Sequence, residues 1–79
     1  MWYVYVLKSM QHDYLYIGST NELEKRLVRH NSGNVVSTRP YCPFTLEAYV
    51  AVKSEDKARE LEIYFKGGSG KAILKKRIL

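Results

Sequence analysis

Five side chains combine residue types and intervals that could do chemistry: Tyr5, Tyr16, Arg26, His30 and Glu62. The late carboxylate is the most conspicuous. From Ala58 to Phe65 the positions i, i+3 and i+7 of a helix are the apolar Ala58, Leu61 and Phe65, yet i+4 on the same face is Glu62. An ionised carboxylate pressed into an apolar face costs on the order of several kcal/mol unless something satisfies it. Glu62 therefore needs a partner, and a cation from the protein, a bound metal ion and water at the rim of a cleft all meet the requirement.

Arg26 and His30 show the complementary oddity. Leu23 and Leu27 define the apolar stripe of a first helix, and Arg26 and His30 lie close to it and one turn apart, while Lys25 and Arg29 point away. Coulomb attraction permits two arrangements. In one, Arg26 forms a salt bridge with Glu62 and His30 is a capped or partly exposed helix residue. In the other, guanidinium and carboxylate both face a ligand. The tyrosines bear on the choice, because a phenol with a pKa of about 10 is a poor base near neutrality unless positive charge lies beside it. Arg26, or a metal held by Glu62, would supply that charge. Cross-strand tyrosines also serve as plain packing.

The elements that must position these residues are legible from pattern. "WYVYVL" and "YLYIGS" are rich in aromatic and β-branched residues and are separated by the polar run "KSMQHD", which predicts two strands joined as a hairpin. Alternation groups Tyr3, Tyr5 and Leu7 against Trp2, Val4 and Val6, and Tyr14, Tyr16 and Gly18 against Leu15 and Ile17. Gly18 leaves room for a backbone or a ligand to approach. Asn21 with Glu24, or Ser19 with Glu22, offers a capping box for the first helix, and Gly33 in "NSG" can end it. Residues 34–43 carry two prolines and read as an ordered loop. "FTLEAYVAV" alternates as a third strand, with Phe44, Leu46, Ala48, Val50 and Val52 on one face. Ser54 caps a second helix that runs to "GGSG", and "KAILKKRIL" forms a last helix with Ile73, Leu74 and Ile78 inward. The expected fold is α/β, order ββαβαα, a small three-stranded and mostly antiparallel sheet flanked by helices in one domain over residues 1–79.

Composition narrows the function classes. The net charge of +5 is concentrated at one end: residues 1–65 balance eight basic against eight acidic side chains, and Lys66, Lys71, Lys75, Lys76 and Arg77 follow without any acid. A neutral body with a basic end suits a polyanion such as nucleic acid, or else is a solvated terminus. No apolar run is long enough to cross a bilayer, and Cys42 is the single cysteine, so the expectation is a soluble, cytoplasmic protein without disulfides or membrane contact. "GGSGK" lacks the spacing and hydroxyl residue of a phosphate loop, and His12 has no second ligand at metal spacing.

Taken together, the landmarks resemble the GIY-YIG nuclease family. "YVY" at Tyr3–Tyr5 stands where the family has Gly-Ile-Tyr, with Tyr5 retained, and "YIG" at Tyr16–Gly18 matches the second half in full. Arg26 follows Gly18 by eight residues, His30 follows by four more, and Ala58 and Glu62 match an acidic helix motif. The resemblance implies hydrolysis of phosphodiester bonds in DNA with a single divalent ion, Mg2+ or Mn2+, in repair or recombination. By position it implies that Glu62 holds the metal, that Arg26 stabilises the pentavalent phosphate, that Tyr5 or Tyr16 helps to activate water, and that His30 orients a tyrosine or the phosphate. Gly18, Thr38, Arg39 and the tail lysines Lys66, Lys71, Lys75 and Lys76 are left to contact nucleic acid, with specificity from DNA shape, a protein partner or an oligomer. A nucleic-acid-binding or partner-binding domain with vestigial chemistry is the alternative.

Overall fold

The computed structural model describes residues 1–79. Three antiparallel strands form an open sheet in the order β2-β1-β3, with β1 at Trp2–Ser9, β2 at Leu15–Thr20 and β3 at Phe44–Val52. The helices are α1 at Leu23–Asn31, α2 at Glu55–Lys66 and α3 at Gly68–Ile73, the last running into a wide π turn at Leu74–Ile78. The α/β class and the ββαβαα order match the reading of the sequence. No helix is long and apolar enough to cross a membrane.

The sheet separates two apolar layers, and the pleat of β1 sorts residues between them. Val4 and Val6 join Ile17, Ala58, Phe65 and Leu74 under α2 and α3. Tyr5 and Leu7 join Phe44 on the other face, against Leu23 and Leu27 of α1. The pairing of Tyr5 with Gly18 and of Val6 with Ile17 carries the same sorting into β2. The hairpin is tied by Ser9, whose hydroxyl donates to the Tyr41 carbonyl at 2.6 Å and accepts from the Gln11 and His12 backbone N–H groups.

β3 departs from uniform alternation. Val6 pairs with Ala48 but Leu7 pairs with Leu46, so Glu47 is an extra residue in a bulge. Phe44 and Leu46 consequently share the Tyr5 face, while Ala48, Val50 and Val52 fall on the Val4 face. The expected single row is thus split.

Helix ends also differ in part from the expectation. Ser54 caps α2, its Oγ accepting from the Lys57 N–H at 3.2 Å, and Gly33 adopts φ +78° just past α1. The Asn21–Glu24 box is not used: α1 has Glu22 at its N-cap without a side-chain bond, and the Glu22 N–H donates instead to Thr20 Oγ1 at 3.0 Å. In the other register Ser19 is committed elsewhere, to Glu62. At its far end α1 is fastened to β3 through Asn31, which accepts from the Phe44 N–H at 2.6 Å and donates to the Phe44 carbonyl.

The basic tail hangs on one anchor. Leu74 is 2% exposed, whereas Ile73 and Ile78 are 42% and 45% exposed and do not turn inward as expected. The wide turn, closed by Leu79 N–H to Leu74 carbonyl, breaks the 3.6-residue repeat on which that expectation rested. "GGSG" is likewise less of a break than its composition suggests, since only Gly67 is extended and Gly68 already begins α3.

Candidate active site

Arg26 and His30 are one turn apart on α1, and both face the tyrosines of the sheet. His30 is fully buried rather than partly exposed. Its Nε2 lies 3.1 Å from the Tyr5 hydroxyl and its Nδ1 lies 2.8 Å from Thr38 Oγ1. The ring packs against Tyr16 at 4.9 Å and Phe44 at 5.9 Å between centroids. Burial, followed by the charges of Arg26 and Arg29, lowers the His30 pKa to about 4, so the imidazole is neutral at neutral pH.

Thr38 was expected among residues contacting nucleic acid. That reading is corrected here, because Thr38 is 0% exposed and its hydroxyl serves His30 and the Val35 carbonyl. Arg39, next in sequence, is exposed, and its Nε donates to the Gly33 carbonyl at 2.7 Å.

Tyr5 is almost fully buried, and burial raises its pKa well above the usual phenol range. The neighbouring Tyr16 and Glu62 push in the same direction, while the charge of Arg26 opposes it. The phenol therefore keeps its proton in the resting protein, and Tyr5 is not a ready base. Tyr16 is half-buried at a cleft.

Gly18 explains how two phenols fit against the strand. A Cβ there would stand 2.6 Å from Tyr5 Oη and 2.9 Å from Tyr16 Cε2. The space expected for a ligand is thus filled by the protein's own rings, and their position depends on the missing side chain.

Glu62 comes from the opposite layer. It belongs to α2, packed on the Val4 face, and meets the sheet at its β2 edge, where Oε1 accepts from Ser19 Oγ at 2.7 Å. Oε2 accepts from Lys66 Nζ, also at 2.7 Å. No ion pair joins Glu62 to Arg26, and none involves Arg26 at all. Burial pushes the Glu62 pKa up, but the bonds from Lys66 and Ser19 and the charges of Lys66 and Arg59 outweigh it, so the net shift is downward. The partner required by the sequence is therefore a lysine and a serine. Lys66 was legible at i+4 from Glu62; Ser19 lies 43 positions away and carried no local signal.

The donor chemistry suits one hard cation. No group of three or more His, Cys, Asp or Glu side chains converges anywhere. Proteins commonly hold magnesium with one or two carboxylates, its other positions filled by waters and substrate phosphate, and Glu62 would meet such an ion by giving up its Lys66 contact.

Beside Tyr16, a cleft of about 250 Å³ runs between β2 and the tail, lined by Tyr14, Leu15 and Ile17 and by Lys66, Lys71 and Lys75. Lys71 and Lys75 continue into a neighbouring cleft with Lys8. Three of the four tail lysines singled out in the sequence thus gather next to a tyrosine. Lys76 and Arg39 line neither cleft.

The family model described as the GIY-YIG catalytic domain matches residues 1–77. Among solved structures, the solution NMR structure of the UPF0213 protein BH0048 from Bacillus halodurans is 32% identical. The alignment covers 95% of this chain and 83% of that one, with a TM-score of 0.56. No curated protein matches.

Proposed function

The chain belongs to the GIY-YIG catalytic domain family, a family of nucleases, and from that premise we propose that it is a divalent-metal-dependent DNA endonuclease, non-specific or structure-specific. One observation carries the reading: Arg26, a guanidinium in no ion pair, stands on α1 one turn from His30, which is hydrogen-bonded to the buried phenol of Tyr5. Structural ion pairs neutralise each other. Glu62 is paired with Lys66, whereas Arg26 has no ion pair, which leaves the guanidinium for a phosphate.

Each residue takes a role its position allows. Arg26 donates to the phosphate oxygens where negative charge grows at the pentavalent stage, and its fixed place on α1 spares it reorganisation at that moment. Glu62 would hold the Mg2+ or Mn2+ ion through its carboxylate oxygens. When bound, such an ion neutralises phosphate charge and lowers the pKa of a nearby water. Tyr16, half-buried at the cleft, would help to activate the attacking water, and Tyr5 would help to position it. His30 fixes Tyr5. Lys66, Lys71 and Lys75 track the DNA backbone, which positions the strand without reading its bases.

The 79 residues act as one module, with a protein partner or a second copy adding specificity in DNA repair or recombination within the cytoplasm. The lone free thiol of Cys42 is compatible with that compartment.

The test is to incubate the protein with supercoiled, nicked, flapped and single-stranded DNA plus Mg2+ or Mn2+, beside Glu62→Gln and Arg26→Ala. Wild type cuts and a chelator stops it, while both variants bind DNA and fail to cut. A wild type that cuts nothing, yet binds as the variants do, overturns the proposal in favour of a binding domain.

A further inference from the structure

Tyr5, His30 and Thr38 form a closed line of hydrogen bonds, and the three are 1%, 0% and 0% exposed. No buried side-chain nitrogen or oxygen in the protein lacks a partner. A neutral imidazole has one N–H and one lone pair, so the line runs in one of two directions.

In the first, Nδ1–H donates to Thr38 Oγ1, the Thr38 hydroxyl donates onward to the Val35 carbonyl at 3.4 Å, and the Tyr5 hydroxyl donates to Nε2. Every donor then meets an acceptor. In the second, the Thr38 hydroxyl donates to Nδ1 and Nε2–H donates to the Tyr5 oxygen. The Tyr5 hydroxyl hydrogen is then left without an acceptor, because His30 Nε2 is the one hydrogen-bond partner of that hydroxyl. A buried donor without an acceptor biases the pair of forms by roughly tenfold or more toward the first.

We propose that Thr38 is a positioning residue that locks His30 in the Nδ1–H form, so that the Tyr5 hydroxyl proton points into the protein and its oxygen lone pairs face Arg26 and the site. The consequence for catalysis rests on the nuclease reading above, whereas the tautomer does not. Thr38 is itself held in a turn, its N–H donating to the Val35 carbonyl at 3.1 Å, so its hydroxyl is already in place. With the imidazole neutral near pH 7, the tautomer is a defined property. A Tyr5 oxygen with free lone pairs is an acceptor for the attacking water, and one with its proton turned outward would instead compete with Arg26 for phosphate oxygens.

The experiment is long-range proton–nitrogen NMR on protein with 15N-labelled histidine, with exposed His12 as the internal reference. Thr38→Val keeps the volume and removes the acceptor; Thr38→Ser keeps the hydroxyl. Backbone spectra that overlay on wild type establish that each variant is folded. Wild type and Thr38→Ser should show the Nδ1–H form of His30, and Thr38→Val should shift it toward Nε2–H. A wild type in the Nε2–H form, or an unchanged tautomer in Thr38→Val, overturns the proposal. In DNA cleavage Thr38→Val should lower kcat by about 10–100-fold with KM for DNA unchanged, and Thr38→Ser should restore most of it. Full activity of Thr38→Val despite an altered tautomer also overturns it. A wild type that cleaves nothing defeats the nuclease reading alone, and the tautomer then decides the role of Thr38.

Discussion

Glu62 is held by Ser19, whose hydroxyl donates to Oε1 at 2.7 Å across 43 positions of sequence. That bond draws a carboxylate from the α2 layer to the strand edge beside Gly18, whose other side is filled by Tyr5 and Tyr16. The sheet lies between the acid and the Arg26–His30 pair, because α1 and α2 pack on opposite faces.

Arg26→Ala should reduce cleavage by about 10²–10³-fold, the usual effect of losing one preorganised donor to a developing charge. Because Arg26 has no carboxylate partner, stability in urea should change by less than about 1 kcal/mol. The His30 pKa should rise from about 4, since one of the charges that lowers it is gone, and an NMR titration reads this directly.

Gly18→Ala should strain the tyrosine pair. Its Cβ would meet Tyr5 Oη at 2.6 Å and Cζ at 2.8 Å, and neither ring can retreat far in a packed layer. A loss of about 1–3 kcal/mol is expected in thermal unfolding, together with loss of the Tyr5–His30 bond. An unchanged Tm would mean that the rings have slack.

Stability should fall with acid through His30. Its folded pKa is about 4 against an ordinary 6.5, so below 6.5 the unfolded chain binds a proton that the native protein refuses. The stabilisation is complete above pH 6.5 and is lost as pH falls through about 4. The gap corresponds to roughly 3 kcal/mol. Urea unfolding from pH 7 to 4 should show this slope, and His30→Gln should flatten it. Glu62 adds a loss of the same sign at lower pH, because its folded pKa also lies below the ordinary carboxylate value.

Lys71→Ala and Lys75→Ala should weaken DNA binding similarly for all sequences. Each should reduce the slope of log K against log salt by about 1, as one phosphate contact does. At saturating DNA the cutting rate should hold, because neither lysine touches Tyr5, His30 or Glu62. Unaltered slopes would place the DNA elsewhere than the cleft beside Tyr16.

Much of this was legible in the amino-acid order. Alternation put Tyr5 in one row with Tyr3 and Leu7 and Tyr16 in another with Tyr14 and Gly18, and a spacing of four put Arg26 and His30 on one side of α1. Ser54 announced the start of α2, and Glu62 announced by its misfit that it needed a partner. These are short-range facts, set by strand period, helix period and the unsatisfied ends of helices.

Other features depended on the assembled chain. The bulge at Glu47 divides β3 between two layers and exists only relative to the register of β1. Thr38 became a partner of His30 because the loop from 32 to 38 returns its hydroxyl to the buried ring. Ser19 and Lys66, rather than Arg26, satisfied Glu62 because the sheet lies between the carboxylate's helix and the arginine's. Periodicity says which side of its own element a residue occupies; which distant element fills the space opposite is decided by packing, where the layers bury their apolar faces and every enclosed polar group must find a partner.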